Sequence, residues 1–134
     1  MKRIVIVGGV AGGMSAATRS RRLDPEASIV VLERSNYVSY ANCGLPYFVG
    51  GVIAAQSDLL LQTPESLHAR FRLDVRVQSE VIGIDRAAKT LTVRNLATGE
   101  TYALGYDYLV LSPGAQPVVP PLPGIDLALT LRTV

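Results

Sequence analysis

Scarcity narrows the field first. The 134 residues hold one cysteine, Cys43, one histidine, His68, and no tryptophan. A single cysteine excludes an internal disulfide, a four-cysteine metal site and a Cys-x-x-Cys redox pair. One histidine argues against a His-based triad or a zinc centre, so no metal site is expected. No apolar run approaches the roughly eighteen residues a membrane span needs. The opening "MKRIVIVGG" sets two basic residues before an apolar stretch, but glycines end it too soon for a signal-peptide core. The expectation is a cytoplasmic protein with neither a membrane nor a nucleic-acid partner, because a formal charge of +2 is small. Repeats and low-complexity segments are absent as well.

What is present begins at the N-terminus. Ile4 to Val7 form a continuous apolar run, the pattern of a strand buried on both faces of a parallel sheet. Glycines follow at 8, 9, 12 and 13, then Ser15, Ala16 and Ala17 at helical spacing. A strand, a glycine-rich turn and a helix of small residues make a dinucleotide-binding start. Gly8 would permit the tight turn, and Gly12 and Gly13 would let the helix lie close to the strand. The helix N-terminus would offer free N–H groups to a pyrophosphate. Against the common G-x-G-x-x-G pattern, Val10 replaces the middle glycine. The confirming signal is a second strand ending in an acid about twenty residues on. "ASIVVLER" supplies it, with Glu33 at its end, placed to accept hydrogen bonds from ribose hydroxyls and to repel a 2′-phosphate. The alternative is a glycine-rich turn in an unrelated α/β protein.

Further along, the first helix is expected from Gly12 to Leu23, stopped by Asp24-Pro25. A second should run from Asn42 or Cys43 to Phe48, before Gly50-Gly51. Thr63-Pro64-Glu65 reads as a helix start, with threonine as cap, proline in the first turn and an acid behind it, and that helix should reach Phe71. "LDVRVQ" is a short strand. "SEVIGIDRAAKTLTVRNLATGETYALGY" holds three strand-like runs split by turn signals, an antiparallel meander over about 79–106. Tyr108 to Leu111 return to a buried parallel strand. The fold class is therefore α/β, a Rossmann-like parallel sheet plus a three-stranded meander.

"VIVGGVAGG", "VVLER", "NCGLPY" and "YLVLSPGAQP" together resemble the FAD-dependent pyridine nucleotide-disulfide oxidoreductases, nearest the coenzyme A-disulfide and persulfide reductase branch. The resemblance runs the length of the chain. It implies FAD as cofactor, NAD(P)H as electron donor and a small disulfide or persulfide as substrate, with coenzyme A as substrate or adduct. It implies a homodimer. It also implies that residues 1–115 are the first part of an FAD-binding domain and 116–134 a connector toward an NAD(P)H-binding domain. The last FAD-domain strand would then lie outside this chain, and the sheet edge beside Tyr108–Leu111 would be open.

The same resemblance bears on Cys43, which by position alone could equally be an inert filler. Many relatives carry C-x₄-C, but the second position here is Phe48. A redox-active Cys43 must therefore cycle through a mixed disulfide, a persulfide or a sulfenic acid. At a helix start, with Asn42 as cap, its thiolate would be favoured. The resemblance implies electron flow from NAD(P)H to FAD to Cys43. It assigns FAD contacts to Gly8, Val10, Ala11, Gly12, Glu33, Arg34, Asn42, Cys43, Val81, Ser112 and Gly114. It assigns coenzyme A contacts to Ser15, Arg19, Arg22, Ser39 and Asn42, although on spacing alone Arg19 and Arg22 are equally a solvated helix face. A further basic contact in some members falls on Phe71, with Arg70 beside it. Peroxide- and oxygen-reducing members typically have histidine where this chain has Val10. That tilts the expectation toward a disulfide or persulfide. An NADH oxidase or peroxidase and a non-catalytic FAD module are the alternatives. His68 is expected on a helix surface without a role.

Overall fold

A computed structural model describes residues 1–134. Four parallel strands form its central sheet: β1 (Arg3–Val7), β2 (Ser28–Leu32), β3 (Asp74–Arg76) and β7 (Tyr108–Leu111), in the order β3-β2-β1-β7. Strands β4 (Ser79–Asp85), β5 (Thr90–Asn95) and β6 (Thr101–Gly105) make a separate antiparallel meander. Helices α1 (Ala11–Leu23), α2 (Leu45–Val49) and α3 (Pro64–Phe71) complete the frame.

The two-residue period of a strand sorts side chains between two cores. On one face Ile6, Ile29 and Val31 pack with Met14 and Ala17 of α1 and Leu67 of α3. On the other, Val5, Val30 and Leu32 meet Leu91, Val93 and Leu104 of the meander. The result is three layers, with helices, parallel sheet and meander stacked in turn. Both faces of β1 and β2 are covered, which is why their sequences read as unbroken apolar runs. Arg76 ties two layers together. Its guanidinium pairs with Asp74 at 2.6 Å and donates to the Tyr102 hydroxyl at 3.0 Å across the meander.

Helix α3 starts as its sequence requires. The Thr63 hydroxyl accepts from the Ser66 N–H and Ser66 Oγ accepts from the Thr63 N–H, a reciprocal cap worth about 1 kcal/mol. Helix α1 begins at Ala11, one residue before the expected Gly12, and stops at Leu23 before Asp24-Pro25.

The cysteine segment departs from expectation. Asn42–Gly44 form a 3₁₀ turn, and α2 follows it for only five residues. Asn42 lies inside that turn and its side chain caps nothing; Ala41 holds the cap position. Pro46 explains the difference. An α-helix starting at Asn42 would need an N–H at position 46 to reach the Asn42 carbonyl, and proline has none. The Leu45 N–H bonds that carbonyl instead, which closes the tighter turn.

The parallel sheet ends at β7, and no strand pairs beyond it. After Leu111 the chain is irregular except for a 3₁₀ turn at Ile125–Leu127. No helix is long and apolar enough to cross a membrane.

Candidate functional site

The C-terminal ends of β1 and β2 open into a trough, where a doubly wound sheet offers room for a ligand. Gly8 turns the chain out of β1 with φ +100°, a conformation that side-chain-bearing residues rarely adopt. A Cβ there would stand 1.9 Å from the Ser112 carbonyl oxygen. Gly13 is the close-packing glycine, since its Cβ would meet the Gly8 carbonyl oxygen at 1.7 Å. Gly12 is not. Its Cβ would lie 3.3 Å from Ser112 Oγ, facing the trough rather than the strand. Gly9 carries a constraint the fingerprint did not reveal: a Cβ there would press on Val38 Cγ1 at 2.8 Å.

Glu33 ends β2 as expected, and its carboxylate is already engaged. Oε2 accepts from the Gly9 N–H at 2.8 Å and Oε1 from the Ser35 N–H at 2.9 Å. Each carboxylate oxygen has a second lone pair, so the group can still take a ligand hydroxyl. Glu33 thereby locks the glycine turn to the end of β2. A further bond, from the Ser39 N–H to the Gly9 carbonyl at 2.8 Å, locks the same turn to the cysteine segment. Ser39 adopts a left-handed φ of +48°.

Two adjoining clefts of about 270 Å³ and 250 Å³ make up the trough, sharing Glu33, Arg34 and the 113–116 turn. The first takes in Gly8, Val81 and Gly114. The second takes in Val10, Ala11, Gly12, Asn42 and Ser112. Ten of the expected dinucleotide residues therefore line one continuous depression. The first N–H groups of α1, which have no intrahelical partner, end there, and no acid stands in that first turn. The bare Gly12 position, the free N–H groups and a ribose-competent carboxylate fit FAD.

Cys43 is exposed and stands in a third cleft of about 520 Å³ between α1 and α3. Val10, Ala11, Tyr40 and Asn42 line both this cleft and the trough, so they form the wall between them. Of the residues expected to contact coenzyme A, Ser15, Arg22, Ser39 and Asn42 join Cys43 here. Arg19 does not; it is exposed on α1 outside the cleft. Phe71 and Arg70 stand at the α3 side. His68 is an exposed helix residue, with Nδ1 3.2 Å from the Leu73 carbonyl oxygen.

Two residues of the site were not assigned from the sequence. Tyr40 is 7% exposed in the shared wall. Burial pushes its phenol above the ordinary value of 10.0, the Glu33 charge adds to the effect and Arg132 opposes it. It is therefore a neutral hydroxyl at physiological pH. Arg132, from the segment read as connector, folds back so that its Nε donates to the Ala115 carbonyl at 2.9 Å and its side chain lines the trough. The available hint was that Arg132 is the only basic residue in 116–134.

Comparison with known proteins places this geometry. The family model described as "Pyridine nucleotide-disulphide oxidoreductase" matches residues 2–134. A coenzyme A disulfide reductase of Staphylococcus epidermidis is 44% identical over 116 residues, 87% of this chain and 26% of its own length. The reduced CoADR-RHD of Bacillus anthracis superposes with a TM-score of 0.94 at 54% identity, covering 99% of this chain and 24% of that one. A NAD-dependent persulfide reductase from A. fulgidus gives 0.88 at 39% identity, covering 92% and 23%. The chain thus spans about a quarter of the length of the relatives it matches.

Proposed function

Since the chain belongs to the pyridine nucleotide-disulphide oxidoreductases, we propose that it forms the FAD-binding and thiol-bearing part of an NAD(P)H-dependent reductase of coenzyme A disulfide or a related persulfide. The carrying observation is the shared wall: Val10, Ala11, Tyr40 and Asn42 separate the dinucleotide trough from the cleft that holds the sole cysteine. FAD, when bound, supplies a two-electron relay between a nicotinamide and sulfur.

The chain's own residues account for binding and for sulfur exchange. The N-terminal N–H groups of α1, with Gly12 and Ser112 opposite, would hold the pyrophosphate. Glu33 would take the ribose hydroxyls, and Arg34, Val81 and Gly114 would line the adenosine end. Cys43, as thiolate, attacks one sulfur of the substrate disulfide. The S–S bond breaks, a mixed disulfide forms on Cys43, and the other half leaves as a thiolate that takes a proton. With a persulfide substrate, the transferred sulfur remains on Cys43. Restoring Cys43 consumes two electrons, assigned in this reading to NAD(P)H. Within this chain no second cysteine competes for the bound half. Val10 in the wall has no proton to give, which favours a sulfur substrate over peroxide.

The test is the intact mass of the protein purified without reductant, beside a reduced sample and Cys43→Ser. A reducible adduct of one coenzyme A, absent from Cys43→Ser, is the expected result. An adduct of sulfur or oxygen alone would redirect the reading to persulfide or peroxide chemistry. No reducible adduct at all would remove the redox role of Cys43.

A further inference from the structure

Gly9 is the one glycine of the opening turn that the dinucleotide reading leaves without a task. Its φ lies outside the left-handed region, so the backbone conformation does not call for glycine. The requirement is space. Gly9 is buried, and a Cβ there would meet Val38 Cγ1 at 2.8 Å and Glu33 Cβ at 3.1 Å. Val38 is 1% exposed and belongs to the core with Ile6, Met14 and Leu67, so it has little room to withdraw.

The two polar groups of Gly9 serve different neighbours. Its N–H donates to Glu33 Oε2 at 2.8 Å, and its carbonyl accepts from the Ser39 N–H at 2.8 Å. One residue therefore joins the carboxylate at the end of β2 to the segment that leads to Cys43. Ser39 holds its left-handed φ of +48°, a conformation that a residue with a side chain keeps only where its surroundings enforce it. A second anchor grips the same segment further along. The Ala41 N–H donates to the Leu59 carbonyl at 2.8 Å, and Tyr40 forms a single antiparallel bridge with Leu60. Gly44 lies against Leu59, where a Cβ would stand 2.8 Å from Cδ2. Cys43 itself is exposed, so the packing of its own side chain does little to place it. Its turn is slung between residues 59–60 and Gly9, and Gly9 is the anchor that also lines the trough.

We propose that Gly9 is a positioning residue for Cys43. Its missing side chain lets Val38 and Ser39 close on the dinucleotide turn, and that seat sets where the thiol stands in its cleft. The inference rests on the reading of Cys43 as the reacting thiol.

The test is a double-mutant cycle of Gly9→Ala and Val38→Ala in the flavin-loaded protein. Reduced Cys43 is offered two disulfides: coenzyme A disulfide, which has to seat in the cleft, and 2-hydroxyethyl disulfide, which needs only an exposed thiol. Mixed-disulfide formation is followed by mass. In each case one S–S bond breaks, one forms and one thiol leaves. The methyl added at position 9 pushes the segment away, and the methyls removed at position 38 let it drift. Each single variant should slow capture by coenzyme A disulfide about threefold to thirtyfold and leave the small probe within about a factor of two, since misplacing a reacting group by about 1 Å can cost about a hundredfold. Combined, the two changes offset each other, and the double variant should recover most of the native ratio of rates. A native ratio in both single variants overturns the proposal, and so does a double variant no better than Val38→Ala. Equal slowing of both probes would mean a structural role and overturns it as well. Hydrogen exchange at the Ser39 amide, followed with and without flavin, decides the case in which Gly9→Ala no longer retains the cofactor. That amide should be protected in the native protein and exchange about tenfold faster or more in Gly9→Ala; unaltered exchange contradicts the proposal. If coenzyme A disulfide fails to modify Cys43 in the native protein, the reading of Cys43 itself falls and this inference falls with it.

Discussion

At Gly13 an added methyl would stand 1.7 Å from the Gly8 carbonyl oxygen, and the obstacle is backbone, so no rotamer change relieves it. At Gly12 the same methyl would stand 3.3 Å from Ser112 Oγ, a side-chain atom that can rotate away. The two neighbours should therefore behave differently. Gly13→Ala is expected to cost about 1–3 kcal/mol of stability, read as a lower denaturation midpoint. Gly12→Ala should leave the midpoint close to that of the native protein, because alanine suits a helix better than glycine, yet it should reduce the flavin retained on purification. Equal loss of stability in both would refute the separate roles. This distinction was invisible in the glycine pattern, which assigned close packing to both positions. Spacing shows that glycines are wanted, but only coordinates show what each one avoids.

Element boundaries followed local chemistry where the chemistry was complete. For α3, the Thr63 cap, Pro64 in the first turn and the acid behind it all point one way, and the helix begins there. Its pH behaviour follows as well. Glu65 accepts from its own backbone N–H, and the Thr63 side chain adds to the effect, so its carboxyl is held below the ordinary 4.5. A depressed folded-state value means stability that is present above the unfolded value and lost as the pH falls through the folded one. Glu65→Gln should therefore lower the thermal midpoint near neutral pH, and the difference from the native protein should vanish on acidification below pH 4.5. A difference that persists undiminished at pH 2 would contradict this origin. The cysteine segment shows the opposite case. Apolar residues before a Gly-Gly stop suggested a helix from Asn42, and Pro46 converted its first turn to 3₁₀ by withholding one donor. That proline was legible in the sequence, and its consequence three to four residues upstream was the part left unread.

For the whole molecule, the unpaired edge at β7 is the main exposure. Tyr108 and Leu111 are more than half exposed, and the outer N–H and C=O groups of the strand have no partner strand. Such edges template pairing with another chain. The 134-residue chain is expected to self-associate as its concentration rises. Leu111→Lys should suppress this in sedimentation velocity while shifting the unfolding free energy by no more than about 0.5 kcal/mol. Association unchanged by the lysine would locate the contact elsewhere, with the exposed Val118, Val119 and Leu122 as the next surface to vary.

The sequence by itself determined the kinds of element and their order, because apolar runs, turn signals and caps are local; that the meander covers the sheet face opposite the helices was decided by tertiary packing. The sequence also determined the dinucleotide start, because few arrangements put a glycine turn after one buried strand and an acid after the next. The single sulfur was likewise determined by counting. Only the tertiary structure decided that the trough and the cysteine cleft share a wall, that Arg19 stands outside while Arg70 stands inside, and that Arg132 returns from the far end of the chain to the trough. These are contacts between residues distant along the chain. Their geometry depends on how whole layers pack and on where Arg21 clamps α3 to α1, which no local pattern encodes.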